Sequence, residues 1–447
     1  MSTPQTAAGP GAPQVGRPAT TRVQRRRMFG ASVAGTVIEW YDFTLYGLAA
    51  ALIFGPLYFP GVGELGGVLA SLATFAVGLG ARPLGGLVFA HFGDRIGRKP
   101  MMFLTLIVMG ASTTLIGALP TAAVIGPWAA ILLVVLRLVQ GAGAGAEFAG
   151  AITMVTESTS SRGRAFASSL PGAAIYVGTG GATAVFALFS LLPHEVFTSW
   201  GWRLPFLASA VIVLVAAYLR LRVEETAEFS TVKEAGAVEK VPILEVFRNH
   251  RRHVLYGMAL FAFIIPWAYV MQVFVLSYVT KTLHVPANTA LLCLIVAELL
   301  AIPAILMLGR LADRVGRRPV LLGGAVFCLV FPLPMFWLLH TTSPWIVGLT
   351  MTLGIGISQG ATSGPAGALM SELFPARSRW SGIAAAREIP AAVLGGTAPL
   401  VATALVAWGG GSPWGVAIYL MVLSALGIVA VLVMPETLRR DGAPAAR

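Results

Sequence analysis

The stretch Gly93-Asp94-Arg95-Ile96-Gly97-Arg98-Lys99-Pro100 returns 219 positions later as Ala312-Asp313-Arg314-Val315-Gly316-Arg317-Arg318-Pro319, each copy between two long apolar segments. A fixed-period echo of a charged loop inside a greasy chain means one unit built twice. It predicts two homologous membrane halves packed around a shared cavity, the plan of many secondary transporters. An aqueous enzyme has no reason to look like this.

Composition agrees. The chain is 56% hydrophobic and 11% charged, with a mean hydropathy of +0.80, where soluble domains carry roughly 25% charged residues. The apolar text divides into twelve segments long enough to cross about 30 Å of hydrocarbon as helices. They fall near 29–53, 66–90, 100–119, 127–149, 165–191 and 203–222, then 254–280, 286–308, 319–339, 344–369, 381–407 and 413–434. The expected fold is an all-α integral membrane protein of two pseudo-symmetric six-helix bundles. Its expected parts are a disordered tail at 1–24, one bundle at 25–222, a charged linker at 223–252, the second bundle at 253–437 and a tail at 438–447.

A net charge of +12 in a soluble chain would point to nucleic acid. Position removes that reading. Of 31 Lys and Arg, all but Arg82, Arg137, Arg203, Lys281 and Arg387 fall in the tails or in the loops joining spans 2 to 3, 4 to 5, 6 to 7, 8 to 9 and 10 to 11. Positive residues stay on the cytoplasmic side during insertion, so both termini are expected there. Cys293 and Cys328 lie inside spans, and no disulfide or metal framework is implied.

Asp94 and Asp313 each precede a new apolar span, where an acid caps a helix start and meets its positive dipole end. Arg95, Arg98 and Lys99, like Arg314, Arg317 and Arg318, can reach carbonyl ends of neighbouring helices. Such a cluster can latch helix pairs on the cytoplasmic side in one conformation and release them in another. The expected gate is therefore Gly93, Asp94, Arg95, Gly97 and Arg98, with Gly309, Asp313, Arg314, Gly316 and Arg317 in the second copy. Glu147, near the cytoplasmic end of span 4, joins them.

These residues resemble the major facilitator superfamily, whose signature loop reads Gly-x-x-x-Asp-Arg-x-Gly-Arg-Lys or Arg. The copy from Gly309 matches fully, and the first has Ala90 at the leading position. Arg137-Leu138-Val139-Gln140-Gly141 in span 4 looks like a second signature of that superfamily. Within it, Glu39-Trp40-Tyr41-Asp42-Phe43 in span 1, Arg82-Pro83-Leu84-Gly85-Gly86 in span 2 and Trp202-Arg203-Leu204-Pro205-Phe206 before span 6 resemble the metabolite:proton symporter family. That family includes bacterial carriers for shikimate, 2-oxoglutarate, citrate, and proline or betaine. The resemblance implies a multi-pass protein of the bacterial inner membrane, working as a monomer without cofactor or metal and driven by the proton gradient.

Ionisable side chains within a bilayer cost several kcal/mol unless paired or hydrated, so each marks a possible ion or substrate path. The chain keeps eight: Glu39, Asp42, Arg82, Arg137, Glu147, Glu298, Arg387 and Glu388. Glu39 and Asp42 are three apart and share a helix face, where like charges favour a proton on one of them. Glu39 lies roughly 15 Å from one membrane face and Arg137 roughly 15 Å from the other, so they are expected to meet near the middle. An acid that meets Arg137 in one conformation alone can load and unload a proton, whereas a fixed pair would merely hold spans 1 and 4 together. Arg137 is either that relay or a two-pronged clamp for a substrate carboxylate.

Gln140 points to the same cavity. Tyr41, Tyr176, Tyr269, Gln272 and Gln359 are further candidates for its lining. Arg82 is expected to pair with a nearby acid, and Arg203 to sit at the headgroup level. Arg387 and Glu388 are adjacent, about 100° apart on a helix, and are expected not to share a partner. Either Arg387 faces the cavity as an anion ligand, with Glu388 or Glu298 balancing it, or the pair sits shallow and snorkels to the interface. The reading is a proton-coupled importer of a small organic acid, working by rocking of two bundles around a midplane site. A proline or betaine carrier, a drug:proton antiporter and a non-transporting sensor are the alternatives.

Overall fold

The computed structural model describes residues 22–438 apart from 97, 146, 158, 160, 222–247, 249 and 375–378. Both expected tails, nearly whole, and most of the expected linker thus lie outside the described residues. Among the described residues all regular structure is helical. In the first bundle, α1 is Arg22–Leu52, α2 Gly63–Ile96, α3 Arg98–Ala118, α4 Trp128–Ala144 continued by Glu147–Glu157, α5 Arg164–Ser190 and α6 Arg203–Leu221.

In the second, α7 is Arg251–Tyr269, extended through Val270–Phe274, Val275–Ser277 and Tyr278–Thr282. There follow α8 (Ala287–Val315), α9 (Arg317–Val330, bent by 49° into Pro332–Leu339) and α10 (Pro344–Leu373). The last two are α11 (Arg379–Pro390, Ala391–Gly395 and Ala398–Trp408) and α12 (Trp414–Val433).

Among the described residues six helices are long and apolar enough to cross a membrane, and eight if each bent pair counts as one span. Two of the others are more polar for reasons the sequence shows. α1 carries Glu39 and Asp42, and α10 is rich in Gly, Ser and Thr, which face protein instead of lipid: Thr350, Ser358, Thr362 and Ser371 are all buried.

Within the bundles, α1 packs on α5, α2 on α4 and α3 on α6, and then α8 on α10, α9 on α12 and α7 on α11. The largest seams between the bundles are α5 against α8 and α10, and α2 against α11. With lipid as apolar as leucine, small residues that let backbones touch hold such helices together. A Cβ on Gly141 would stand 1.8 Å from the Gly78 carbonyl oxygen, and one on Gly145 2.0 Å from that of Arg82. Helices α2 and α4 therefore meet backbone to backbone. That contact sets the spacing of the two arginines they carry, Arg82 and Arg137.

Pro266 in α7 and Pro390 in α11 each precede a π-helical turn, at Val270–Phe274 and Ala391–Gly395. Tyr269, Gln272, Arg387 and Glu388 all lie within a few residues of these irregular turns.

The repeated charged run is not the free loop the sequence suggests. Helix α8 runs on to Val315, so Asp313 and Arg314 occupy its last turn, and α9 begins at Arg317. Gly316 alone makes the corner, with a φ of 120° that side chains rarely adopt.

Candidate functional site

The five residues Glu39 to Phe43 on α1 reach partners on several helices. Arg82 donates from Nη2 to Glu39 Oε1 at 2.6 Å and from Nε to Glu388 Oε2 at 2.9 Å, and Arg387 donates to the other oxygen of Glu388. Two acids and two arginines thus alternate in a chain from α1 through α2 to α11. All four are buried, from 0% exposed at Glu39 to 6% at Arg387 and Glu388. Opposite charges stacked this way compensate one another in a medium where any one alone would be costly.

Two expectations need correction here. Glu39 does not meet Arg137; equal depth brought them level, but Arg82 on the neighbouring helix is nearer. Arg387 and Glu388 do not snorkel to the interface: both are buried, and they pair with each other. Arg82, expected to pair with a nearby acid, pairs with two and ties the bundles together.

Asp42 turns away from this chain into the first bundle. It accepts a hydrogen bond from Ser209 of α6 at 2.9 Å and interacts with Thr113 of α3. Gln140 donates to the Thr113 hydroxyl at 2.7 Å and accepts from Arg137, so Asp42, Thr113, Gln140 and Arg137 form one polar patch. The Arg137 guanidinium carbon lies 4.0 to 5.2 Å from the ring centres of Tyr46, Phe43 and Phe75. Its Nε and Nη2 have no hydrogen-bond partner although the residue is fully buried. Phe43 also takes Arg82 at 5.0 Å, so one ring contacts the arginines of both networks.

Trp40 stacks on Tyr269 of the second bundle, with centroids 6.2 Å apart and planes 24° from parallel. These two rings, with Phe43, Thr44, Phe75 and Gln272, wall a narrow pocket between α1, α2 and α7. Of the expected lining residues, Tyr269 and Gln272 are in this wall. Tyr176 touches it from behind through Gln272. Tyr41 does not line it: its hydroxyl donates to the Pro205 carbonyl at 3.4 Å, inside the first bundle. Gln359 is buried in α10, apart from the pocket wall.

At the end of the molecule that carries the repeated run, Asp313 accepts from the Ala165 and Phe166 amides at 3.0 and 2.9 Å. The expectation was that it would cap the span that follows it. Instead it caps the first turn of α5 in the other bundle, and Glu436 caps α9, accepting from the Arg317 and Arg318 amides. The Arg317 guanidinium lies 3.3 Å from both Asp313 and Glu372, and Arg318 reaches the carbonyl of Val431. Arg314 is exposed. The side chains of Gly93, Asp94, Arg95, Arg98 and Glu147, together with residue Gly97, lie outside the described residues. At the opposite end Ser190 of α5 donates to Asn288 of α8 at 2.8 Å, so the α5–α8 seam is crossed at both ends.

The sequence reading missed Glu388 as a bundle-to-bundle partner, Trp40, Phe43 and Phe75 as pocket walls, and Ser209 and Thr113 as companions of Asp42. The Glu39 to Phe43 run signalled the aromatic walls; the serine and threonine carry no signal against so many others.

A profile of the Major Facilitator Superfamily matches residues 28–393. The shikimate transporter of Escherichia coli (strain K12) is 38% identical over 418 residues, covering 93% of this chain and 95% of that protein. The inner membrane metabolite transport protein YhjE of the same organism is 36% identical over 420 residues, 92% and 94% of the two chains. The proline/betaine transporter of Salmonella typhimurium (strain LT2) is 31% identical over 430 residues, 93% and 84%. Among solved structures, the proton:xylose symporter XylE bound to 6-bromo-6-deoxy-D-glucose superposes with a TM-score of 0.73 at 17% identity, covering 93% of this chain and 97% of that one. The chain belongs to the major facilitator superfamily, and it is a multi-pass membrane transporter of small metabolites or solutes.

Proposed function

We propose that the protein is a proton-coupled symporter that imports a small organic acid across the bacterial inner membrane by alternating access. The observation that carries the anion is Arg137, fully buried, with two guanidinium nitrogens lacking acceptors. It lies against Phe43 and Phe75, which themselves wall the pocket. A carboxylate entering there would supply two parallel acceptors. Asp42, joined to Arg137 through Thr113 and Gln140, is the acid placed to exchange a proton as the substrate arrives. Glu39 enters the cycle through Arg82, by letting the α2–α11 tie close or part.

In this reading the termini and the repeated run face the cytoplasm, the bundles span 25–222 and 253–437, and one chain suffices. A compatible-solute carrier is the second reading, favoured by the stacked Trp40 and Tyr269, since aromatic faces also receive quaternary ammonium groups.

Thermal-shift measurements on the purified protein with shikimate, 2-oxoglutarate, glycine betaine and proline separate the two, because a ligand that binds the folded state alone raises the melting temperature. Uptake into proteoliposomes is expected to require an inward proton gradient. Uptake unchanged when that gradient is collapsed would refute proton symport, and wild-type pH dependence in both Glu39→Gln and Asp42→Asn would refute these two acids as its proton carriers.

A further inference from the structure

Within the membrane spans, leaving aside Glu147, four acids face three arginines: Glu39, Asp42, Glu298 and Glu388 against Arg82, Arg137 and Arg387. The structure assigns the partners. Glu39 and Glu388 share Arg82 and Arg387, and Asp42 reaches Arg137 through Thr113 and Gln140. Glu298 is left over.

Glu298 lies near the middle of α8, about 16 Å along the helix from its Ala287 end. It is 0% exposed. Its contacts come from α5: Thr183 donates to Oε2 at 2.9 Å, Thr179 adds a second hydroxyl, and Tyr176 is the titratable group that faces it. Oε1 has no hydrogen-bond partner. The charges of the helices around it are far away. Those of α5 and α10 are Arg164 and Glu372, facing each other at the end with the repeated run. Those of α9 are Arg317 and Arg318 at the same end, and those of α7 are Arg251, Arg252 and His253 at that end and Lys281 at the other.

A carboxylate with hydroxyls as its sole partners, out of contact with water or cation, is too costly to keep. The same carboxyl bearing a proton is not. Its position between two crossings of one seam, Ser190–Asn288 towards one end and Asp313 on the start of α5 towards the other, gives that proton a way in and a way out. We propose that Glu298 carries a proton of its own through the transport cycle, taken up when the α5–α8 seam parts towards the outside and released when it parts towards the cytoplasm. This rests on the symport reading for its direction but not for its first test.

That test needs no substrate. Infrared difference spectra of the full-length protein in lipid, recorded as pH is raised, should show a protonated-carboxyl band that is lost in Glu298→Gln and kept in Glu39→Gln and Glu388→Gln. A spectrum unchanged in Glu298→Gln overturns the proposal. Should that variant fail to fold, Thr183→Val removes a donor to the carboxylate and should move the band's midpoint to higher pH; an unmoved midpoint is equally fatal.

In proteoliposomes with shikimate as probe, Glu298→Gln should keep counterflow within about twofold of wild type and lose proton-driven accumulation at least about tenfold. Wild-type accumulation in this variant, or loss of counterflow by a folded protein, also overturns it. Accumulation by the wild type that ignores the proton gradient would fell the symport reading instead, and leave the band assignment standing.

Discussion

Arg82 of α2 and Glu388 of α11 are held at 2.9 Å across the centre of the molecule, an ion pair that joins the two bundles. A pair so buried adds little net stability over a well-packed apolar pair, yet breaking it from one side is severe. Arg82→Gln leaves Glu39 and Glu388 facing a single remaining cation, Arg387. We expect a loss of about 3–5 kcal/mol of stability and of transport. The double variant Arg82→Gln/Glu388→Gln should recover part of the melting temperature, and additivity of the two single losses would disprove the coupling.

The two acids of α1 should separate in pH experiments. Asp42 sits with hydroxyls and an amide around Arg137, where the neutral Asn resembles the protonated acid. Asp42→Asn is therefore expected to keep substrate binding and to lose the dependence of uptake on external pH. Glu39→Gln removes a charge from a balanced chain, so it should lower the melting temperature as well as uptake. Thermal melts and uptake measured at several pH values on both variants check this; identical behaviour of the two would refute the division of roles.

How far the sequence reaches is visible at these same residues. The duplicated charged run, the apolar spans and the intramembrane charges made the architecture legible, because each is a one-dimensional pattern. Partner choice was not, because it depends on which faces meet. Glu39 and Asp42 share a helix face on paper, yet one turns to α2 and the other to α6. Depth can be counted along a helix, but the rotation of that helix about its axis is set by contacts such as Gly141 on Gly78, which no count of residues supplies. The charge imbalance that isolates Glu298 could have been read from the sequence; its threonine partners could not.

The leading glycine of the second repeat has a physical reason in the α5–α8 seam. A Cβ on Gly309 would stand 1.9 Å from Ser169 Oγ, and one on Gly364 2.1 Å from the same atom. Overpacking of this kind costs about 1–3 kcal/mol. The cost falls on the closed arrangement of this end alone, since parted helices have room. Gly309→Ala should shift the population towards the open arrangement by about 5- to 150-fold. Alkylation of a reporter introduced as Ser363→Cys, in a background lacking Cys293 and Cys328, should speed up accordingly. An unchanged rate would mean that this end is not closed by these contacts.

Trp40 and Tyr269 join the bundles by stacking beside the pocket, and aromatic pairs are worth about 0.5–1.5 kcal/mol beyond their buried area. Tyr269→Phe keeps the ring and should preserve ligand affinity within about threefold, whereas Tyr269→Ala should weaken it at least about tenfold. Equal loss in both would move the binding role from the ring to the hydroxyl. Isothermal titration with the ligand that stabilises the wild type gives the answer.

Asp313 offers a test of the gate itself. Its carboxylate takes two amides at the start of α5, where a helix end presents unpaired donors and positive dipole charge, and it also faces Arg317 at 3.3 Å. Asp313→Asn keeps one acceptor but removes the charge, a loss of about 0.3–1 kcal/mol at the helix end, or up to about 2 in a partly buried setting. Because the contact crosses between bundles, it is made in the closed state of this end and broken in the open one. The variant should therefore bind ligand as the wild type does, transport more slowly, and expose Ser363→Cys to alkylation faster. Asp313→Glu keeps the charge on a longer arm and should fall between the two. Weaker ligand binding in Asp313→Asn with an unchanged alkylation rate would place the residue in the binding machinery and not in the gate.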